Sequence, residues 1–252
     1  RSRTLPSVLE EARKLADEGV RELTLVAQDT TAYGEDLRDG ATLEKLLKGL
    51  IRIEGLRWIR VLYSYPRADA LTDGLLDLIA HGDHVCPYLD VPIQHIDDAI
   101  LRRMGRKTKS QEIRSLLQKI RTTLPEISLR TSLIVGFPGE KESQFNALLD
   151  FMTEIQFDHL GAFKYSPEEG TAASRLPGPI PEPVKEERLG TLMDLQRKIS
   201  LKRYRRFVGR RMEVVVEKPN DRSKFSRGRL KTQAPEIDGC VLLRGKAKPG
   251  AW

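Results

Sequence analysis

Along the first 165 residues, short apolar runs alternate with stretches in which apolar positions recur every three to four residues. Runs of the first kind read as strands and stretches of the second as helices, so the chain predicts a βα succession. A helix is expected from Ser7, with Glu10 completing a capping box. It buries Val8, Leu9, Ala12, Leu15 and Ala16 and stops at Gly19. A strand over 21–27 follows. Thr42 caps a helix with Leu43, Leu46, Leu47, Leu50 and Ile51 on one face, leading to a strand over 58–64. A helix from Thr72 with Leu75, Leu76 and Ile79 precedes a strand over 85–91, and helices over 97–104 and 110–123 precede a strand over 128–135. A helix carrying Phe145, Leu148, Leu149, Met152 and Ile155 leads to a last strand over 157–165.

Five such strands are too few for a closed eight-unit barrel. Right-handed crossovers should make them a parallel sheet with helices outside, either an open partial (βα) barrel or a doubly wound sheet. A Pro/Gly-rich stretch over 176–183 marks a boundary, and a long helix with Leu189, Leu192, Met193, Leu195, Gln196, Ile199 and Leu201 follows it and is expected to pack back on the sheet domain. From Val208 the signal changes to short strands, such as 212–217 and 240–244, separated by Asn, Asp, Gly and Pro. The expected organisation is a barrel over 1–180, a linking helix over 181–206 and a small β-barrel module over 207–252, incomplete at Trp252. No internal repeat or low-complexity tract is visible.

Composition narrows the class. A chain of 252 residues with 39% hydrophobic and 31% charged residues has the makeup of a globular protein. No apolar run approaches the roughly 18 residues of a membrane span, and Arg1-Ser2-Arg3-Thr4 does not open a signal peptide, so a cytoplasmic protein is expected. Cys86 and Cys240 cannot form a disulfide framework or close a metal site alone. The net charge of +7 is uneven: residues 201–252 hold 15 Lys+Arg against 5 Asp+Glu. Such a tail is either a solvated surface or a module that docks on nucleic acid through phosphate contacts.

In parallel α/β folds ligands bind at the carboxyl ends of the strands. Those ends here are polar or glycine-rich: Gln28-Asp29-Thr30-Thr31, Tyr63-Ser64-Tyr65-Pro66, Asp90-Val91-Pro92-Ile93-Gln94-His95, Gly136-Phe137-Pro138-Gly139-Glu140 and Lys164-Tyr165-Ser166-Pro167. Ordinary turn chemistry explains any one of them, but not easily all five. Arg130 and Ser132 alternate with Leu129, Thr131 and Leu133, which puts a guanidinium on an interior face. It needs either a structural ion pair or a ligand carboxylate or ribose. Gly136 to Gly139 brings bare backbone to a helix N-terminus, yet is neither a Walker loop nor a dinucleotide fingerprint. His81, His84 and Cys86 have metal-ligand chemistry, but their turn-and-strand setting favours an ordinary reading. His95 is a better candidate for the mouth of the site, or else a hydrogen-bonded loop histidine.

With these motifs in view, nearly the whole chain resembles the radical S-adenosylmethionine methylthiotransferases. The resemblance is carried by Leu133-Ile-Val-Gly-Phe-Pro-Gly-Glu140 and Phe163-Lys-Tyr-Ser-Pro-Glu-Glu-Gly-Thr171 and extends from about Arg1 to Gly250. It implies a six-stranded open radical-SAM barrel, of which this chain supplies strands two to six, and a C-terminal OB-like TRAM domain. The family has a branch acting on tRNA adenosine and a branch acting on an aspartate of the twelfth small-subunit ribosomal protein. Ala27-Gln-Asp-Thr-Thr-Ala-Tyr-Gly34, Tyr63-Ser-Tyr-Pro66, Cys86-Pro-Tyr-Leu-Asp-Val-Pro-Ile-Gln-His95 and Ala234-Pro-Glu-Ile-Asp-Gly239 resemble the ribosomal-protein branch. The tRNA branch typically has Gln-Asn at 28–29 and Ser-His-Pro at 64–66. The basic tail argues the other way, since it suits tRNA or an rRNA contact more directly.

By matching position, the resemblance implies Gln28 and Asp29 near the methionine amino group of S-adenosylmethionine. Ser64, Gln94, Arg130 and Ser132 would lie near its carboxylate or ribose. Gly136, Phe137, Pro138 and Gly139, with the backbone near Lys164 and Tyr165, would face the adenine. Arg222, Lys224, Arg227 and Arg229 are the candidate substrate contacts. The implied chemistry is reductive cleavage of S-adenosylmethionine at a cluster, hydrogen abstraction from the aspartate β-carbon, and sulfur transfer. The family's CxxxCxxC motif is not in this chain. It and a domain holding a second [4Fe-4S] cluster are expected upstream of Arg1, and the chain by itself is expected to be inactive. A non-catalytic ribosome- or RNA-binding module is the reading of another class.

Overall fold

In the computed structural model, which describes residues 1–218 and 224–252, five short strands run in parallel. They are β1 (Glu22–Leu25), β2 (Trp58–Val61), β3 (Tyr88–Asp90), β4 (Ser128–Val135) and β5 (His159–Lys164). β1 pairs with β2, and β4 pairs with β3 on one side and β5 on the other. A single parallel bridge, Ile59 to Val85, joins the two sets. The continuous strand expected over 85–91 is broken at Pro87. The Tyr88 N–H turns back to the Cys86 carbonyl (2.7 Å), a tight turn that suits the fixed φ of proline. Pairing resumes where the Ser64 N–H meets the Asp90 carbonyl (2.9 Å).

The connecting helices are α1 (Leu5–Asp17), α2 (Leu43–Leu50), α3 (Asp73–His81), α4 (Asp98–Arg103), α5 (Ser110–Thr123) and α6 (Glu142–Ile155). Thr42 and Thr72 cap α2 and α3, accepting from the Lys45 and Leu75 N–H groups. α1 begins earlier than the sequence pattern suggests. Its N-cap is Thr4, because Pro6 in the first turn has no N–H to satisfy, while the Ser7 hydroxyl accepts from Arg3 (2.9 Å).

Two-residue alternation gives the sheet two different faces. On the outer face Leu129, Leu133 and Val135 pack with Leu117, Ile120, Phe151 and Met152 in one apolar core. Each such side chain contributes about 1.5–3 kcal/mol on burial, so this face supplies the stability. The inner face carries Arg60, Asp90, Arg130 and His159, all buried polar groups. α7 (Glu182–Tyr204) lies along β5, its Gln196 amide donating to the Phe157 carbonyl (2.8 Å) and its Ser200 hydroxyl to that of Asp158 (2.9 Å).

The C-terminal sheet is antiparallel in the order β6 (Val214–Lys218), β7 (Phe225–Leu230), β8 (Val241–Arg244), with an irregularity between Val216 and Lys218. β7 has no apolar alternation to announce it, because its buried positions hold Ser226, Gly228 and Arg229 besides Leu230. This small sheet closes the lower part of the barrel's inner face. Trp58, Leu62, Cys86, Tyr88 and Ala234 form a second apolar cluster there, with Val215 and Trp252 against it.

Candidate cofactor site

Backbone hydrogen bonds hold the five strand tips side by side. Thr30 N–H reaches the Tyr63 carbonyl (3.0 Å), Gln94 N–H that of Ser132 (2.9 Å), Ile134 N–H that of Gln94 (2.9 Å) and Tyr165 N–H that of Val135 (2.9 Å). Gln28, Asp29, Ser64, Gln94, Ser132, Gly136 and Tyr165 therefore share one edge of the sheet, with Arg130 deeper on the inner face. Two of the tips are in the left-handed region, Tyr63 at φ 59° and Gln94 at φ 67°. That conformation is uncommon for residues with a Cβ and concentrates at functional sites.

The tips divide into groups that hold the loops and groups left open. Asp29 is a tie: its carboxylate accepts from the Thr31 N–H (3.0 Å), the Thr31 hydroxyl (2.5 Å) and the Tyr65 N–H (3.3 Å). Gln28 is exposed. Ser64 is buried, and its Oγ has no hydrogen-bond partner among the described residues. Arg130 gives Nη1 to Asp90 (2.9 Å) and to the Ser132 hydroxyl (3.2 Å), whereas no hydrogen bond among the described residues uses Nη2. Asp90 itself accepts the Tyr63 N–H (3.0 Å), tying the unusual backbone there to the arginine pair. A Cβ on Gly161 would stand 3.1 Å from Nη2, so the glycine keeps this space clear. Val26 and Phe163, at the ends of β1 and β5, are 61% and 57% exposed.

The loop after β4 is held from behind. The Gly136 N–H donates to Glu140 (2.6 Å), and the buried Glu140 carboxylate also meets Arg188 Nη1 (2.7 Å) and His95 Nε2 (3.0 Å). The Asp97 N–H donates to His95 Nδ1 (3.0 Å), so the His95 proton sits on Nε2 and points to Glu140. His95 is thus a fully buried loop-holding residue and not, as its chemistry allowed, a group at the mouth. Gly136 has φ 71°, and a Cβ there would lie 2.4 Å from Lys185 Cγ. The Lys185 ammonium donates to the Tyr165 carbonyl (2.9 Å). Phe137 and Pro138 are buried, Phe137 edge-on to Tyr165 at 4.9 Å, and the Gly139 N–H reaches the Gly178 carbonyl (2.6 Å). The Lys164 side chain turns away to Glu182 and Glu186, whose hydrogen bonds hold its pKa above the ordinary value.

Gly161, Lys185 and Arg188 are the contributors that sequence reading missed, while Asp90 and Glu140 stood in the strand-end phrases without a role. Gly161 alone in a strand and Glu140 beside the glycine loop were available signals. α7 packs back on the sheet domain as its apolar positions predict, but those positions did not foretell that Lys185 and Arg188 reach the loop after β4.

Of the four basic candidates in the C-terminal module, Lys224 and Arg227 are exposed, and Arg222 lies outside the described residues. Arg229 is a correction: it is buried, with Glu22 (2.5 Å) and Glu217 (2.7 Å) on its guanidinium, and faces the barrel. Burial pushes the Cys86 thiol up to about 11, and His81 pairs with Asp77 (3.0 Å) on the surface. Among the described residues no group of three or more His, Cys, Asp or Glu is placed to hold a metal. Buried Cys86 and exposed Cys240 do not fit an iron–sulfur cluster. For an adenosylated amino acid the fit is better: Ser64 Oγ and Arg130 Nη2 are open donors, and Gly161 leaves room beside them.

The fold is that of a known class. Residues 1–152 match the Radical SAM superfamily and residues 208–252 a TRAM domain, and the chain belongs to that superfamily. Within it the chain is RimO-like. It is 50% identical over 252 residues to the ribosomal protein uS12 methylthiotransferase RimO of Geobacter sulfurreducens and 49% identical over 250 to that of Syntrophus aciditrophicus. These alignments take in 99% of this chain but 56% and 55% of the relatives, so the chain spans about half their length. Among solved structures, coproporphyrinogen III oxidase (HemN) from Escherichia coli aligns with TM-score 0.56 at 19% identity, over 77% of this chain and 46% of its own. Streptococcus suis SuiB bound to S-adenosylmethionine aligns with TM-score 0.54 at 12% identity, over 79% and 42%. At these identities the likeness is one of fold.

Proposed function

We propose that this chain is the barrel and C-terminal module of a cytoplasmic methylthiotransferase that adds a methylthio group to the β-carbon of an aspartate of ribosomal protein uS12. The observation that carries the proposal is near-complete alignment, at about half identity, with relatives bearing that name. The open donors at the strand tips support it. Bound S-adenosylmethionine supplies, on one-electron cleavage, the radical that abstracts hydrogen from an unactivated carbon. Arg130 Nη2 and Ser64 Oγ hold its carboxylate or ribose, Gln28 and Gln94 contact its amino-acid end, and the Gly136–Gly139 backbone with Tyr165 lines the adenine. Asp29, Asp90 and Glu140 keep these groups in place, so that little reorganisation is needed when the reaction occurs. Both [4Fe-4S] clusters belong to the whole protein, and no step is assigned through them to residues of this chain.

The basic tail favoured tRNA as substrate, but part of that charge is paired with carboxylates of the same chain. Arg203 and Arg206 pair with Asp158, Arg210 with Glu126 and Arg229 with Glu22. Lys224 and Arg227 remain exposed together with Arg205, Arg211, Lys218, Arg244, Lys246 and Lys248, a basic surface for an rRNA contact beside uS12. The test is to incubate the full-length, cluster-reconstituted protein with S-adenosylmethionine, a reductant and either uS12 or tRNA, then read both by mass spectrometry. A methylthio mass on one aspartate of uS12 supports the proposal. Modification of tRNA alone transfers the chain to the other branch.

A further inference from the structure

The phrase Ala234-Pro-Glu-Ile-Asp-Gly239 is exposed at Glu236, Ile237 and Gly239 but turns Ala234 and the Asp238 carboxylate inward. After β7 the chain runs across the base of the barrel's inner face. Arg60 Nη1 donates to the Lys231 carbonyl (2.8 Å), the Ser128 hydroxyl to that of Thr232 (3.2 Å), and His159 Nε2 meets the same Thr232 carbonyl (2.7 Å). A turn follows at Glu236, with φ 65°, closed by the Ile237 N–H on the Pro235 carbonyl (2.8 Å). It delivers Asp238 into the barrel with its side chain 2% exposed.

There the carboxylate is held from several sides. The Tyr88 hydroxyl (2.7 Å) and the Ala234 N–H (2.8 Å) donate to Oδ2, while Oδ1 faces His159 Nδ1 (3.4 Å) and Arg130 Nε (3.6 Å). Arg130 thus stands between carboxylates of two modules: Asp90 hydrogen-bonds Nη1, and Asp238 Oδ1 lies at an ion-pair distance of 3.6 Å from the buried Nε, which makes no hydrogen bond among the described residues. A planar guanidinium hydrogen-bonded to one carboxylate and drawn toward a second on another edge is restricted in its rotation, and the pair biases the direction of Nη2. Nη2, like Nε, takes part in no hydrogen bond among the described residues, and Gly161 leaves space beside it.

We propose that Asp238 is a positioning residue for the cofactor site: it aims Arg130 Nη2 at bound S-adenosylmethionine, making the C-terminal module a working part of the barrel. The inference rests on the reading of Arg130 as a cofactor contact. Loss of the Asp238 charge frees one edge of the guanidinium, which then turns toward Asp90 and away from the ligand. A residue acting only through Arg130 has no effect once Arg130 is altered, so the two changes are not additive.

The experiment is a double-mutant cycle in the full-length, cluster-reconstituted protein. The Kd for S-adenosylmethionine is measured calorimetrically without reductant for wild type, Asp238→Asn, Arg130→Lys and the double variant, with Tm recorded for each. Asp238→Asn is expected to weaken binding about tenfold, equivalent to about 1.4 kcal/mol. The double variant is expected to bind no worse than Arg130→Lys alone. A lowered Tm with Kd within about twofold of wild type, or a fully additive cycle, overturns the proposal and leaves Asp238 a structural contact. Should Asp238→Asn not fold, Tyr88→Phe removes one donor to Asp238 without touching Arg130. It is expected to weaken binding by about two- to threefold, and an unchanged Kd overturns the proposal. Wild-type protein that binds no S-adenosylmethionine would instead remove the functional reading beneath it.

Discussion

At the scale of single residues, the balance of burial against charge decides what each group can do. Asp158 is buried among Arg121, Arg203 and Arg206. Burial pushes its carboxyl up, but the three guanidiniums outweigh that and hold the pKa below its ordinary 3.8. A depressed carboxyl stabilises the fold fully above its unfolded value and loses that contribution as pH falls through the folded one. Acid titration followed by circular dichroism should therefore show this part of the stability surviving to about pH 4 and disappearing below it. Asp158→Ala, which strands buried cations, should cost about 3–5 kcal/mol in urea unfolding. The two cysteines differ in a related way. Cys86, with its thiol raised to about 11 by burial, should resist iodoacetamide at pH 8 until the protein unfolds, while exposed Cys240 reacts; peptide mapping reads both sites.

At the scale of elements, α7 and the loop after β4 form one mechanical unit. The Lys185 stem fills the space where a Gly136 side chain would be, and Arg188 holds the Glu140 that holds the Gly136 N–H. Gly136→Ala meets both a positive φ and a 2.4 Å approach to Lys185 Cγ. It should cost more than the roughly 1 kcal/mol of a simple glycine replacement and weaken S-adenosylmethionine binding. Gly190, on the exposed side of the same helix with nothing near its missing Cβ, gives the opposite sign. Gly190→Ala should stabilise by about 0.5–1 kcal/mol, and thermal unfolding of the pair distinguishes the two roles.

At the scale of the whole molecule, the C-terminal sheet and the barrel share a buried, charged interface. Glu22 on β1 serves both Arg60 and Arg229, Trp58 donates to Glu213 (3.2 Å), and Trp252 stands edge-on to Trp58 at 4.6 Å. Removal of residues 208–252 takes away Trp252 and wets Trp58, which is fully buried here. In this chain, whose only tryptophans are these two, emission should then shift to the red and the midpoint of unfolding should fall. Unchanged emission from the remaining Trp58 would mean that the barrel closes its own base.

The succession of strands and helices, the two-faced character of β4 and the polar strand tips were all legible in the sequence, because each follows from local periodicity and turn chemistry. Hydrophobic spacing reports burial against a neighbour in the same layer, and the outer face of the sheet is built that way. Only the tertiary structure decided which side chains meet across layers. It gave Asp29 and His95 their loop-holding partners, brought Lys185 and Arg188 back from α7 to the glycine loop, and folded Arg229 and Asp238 inward. These are ion pairs and hydrogen bonds between residues as far apart as Glu22 and Arg229. Their partners are chosen by where the chain returns in space, and no spacing along the chain encodes that.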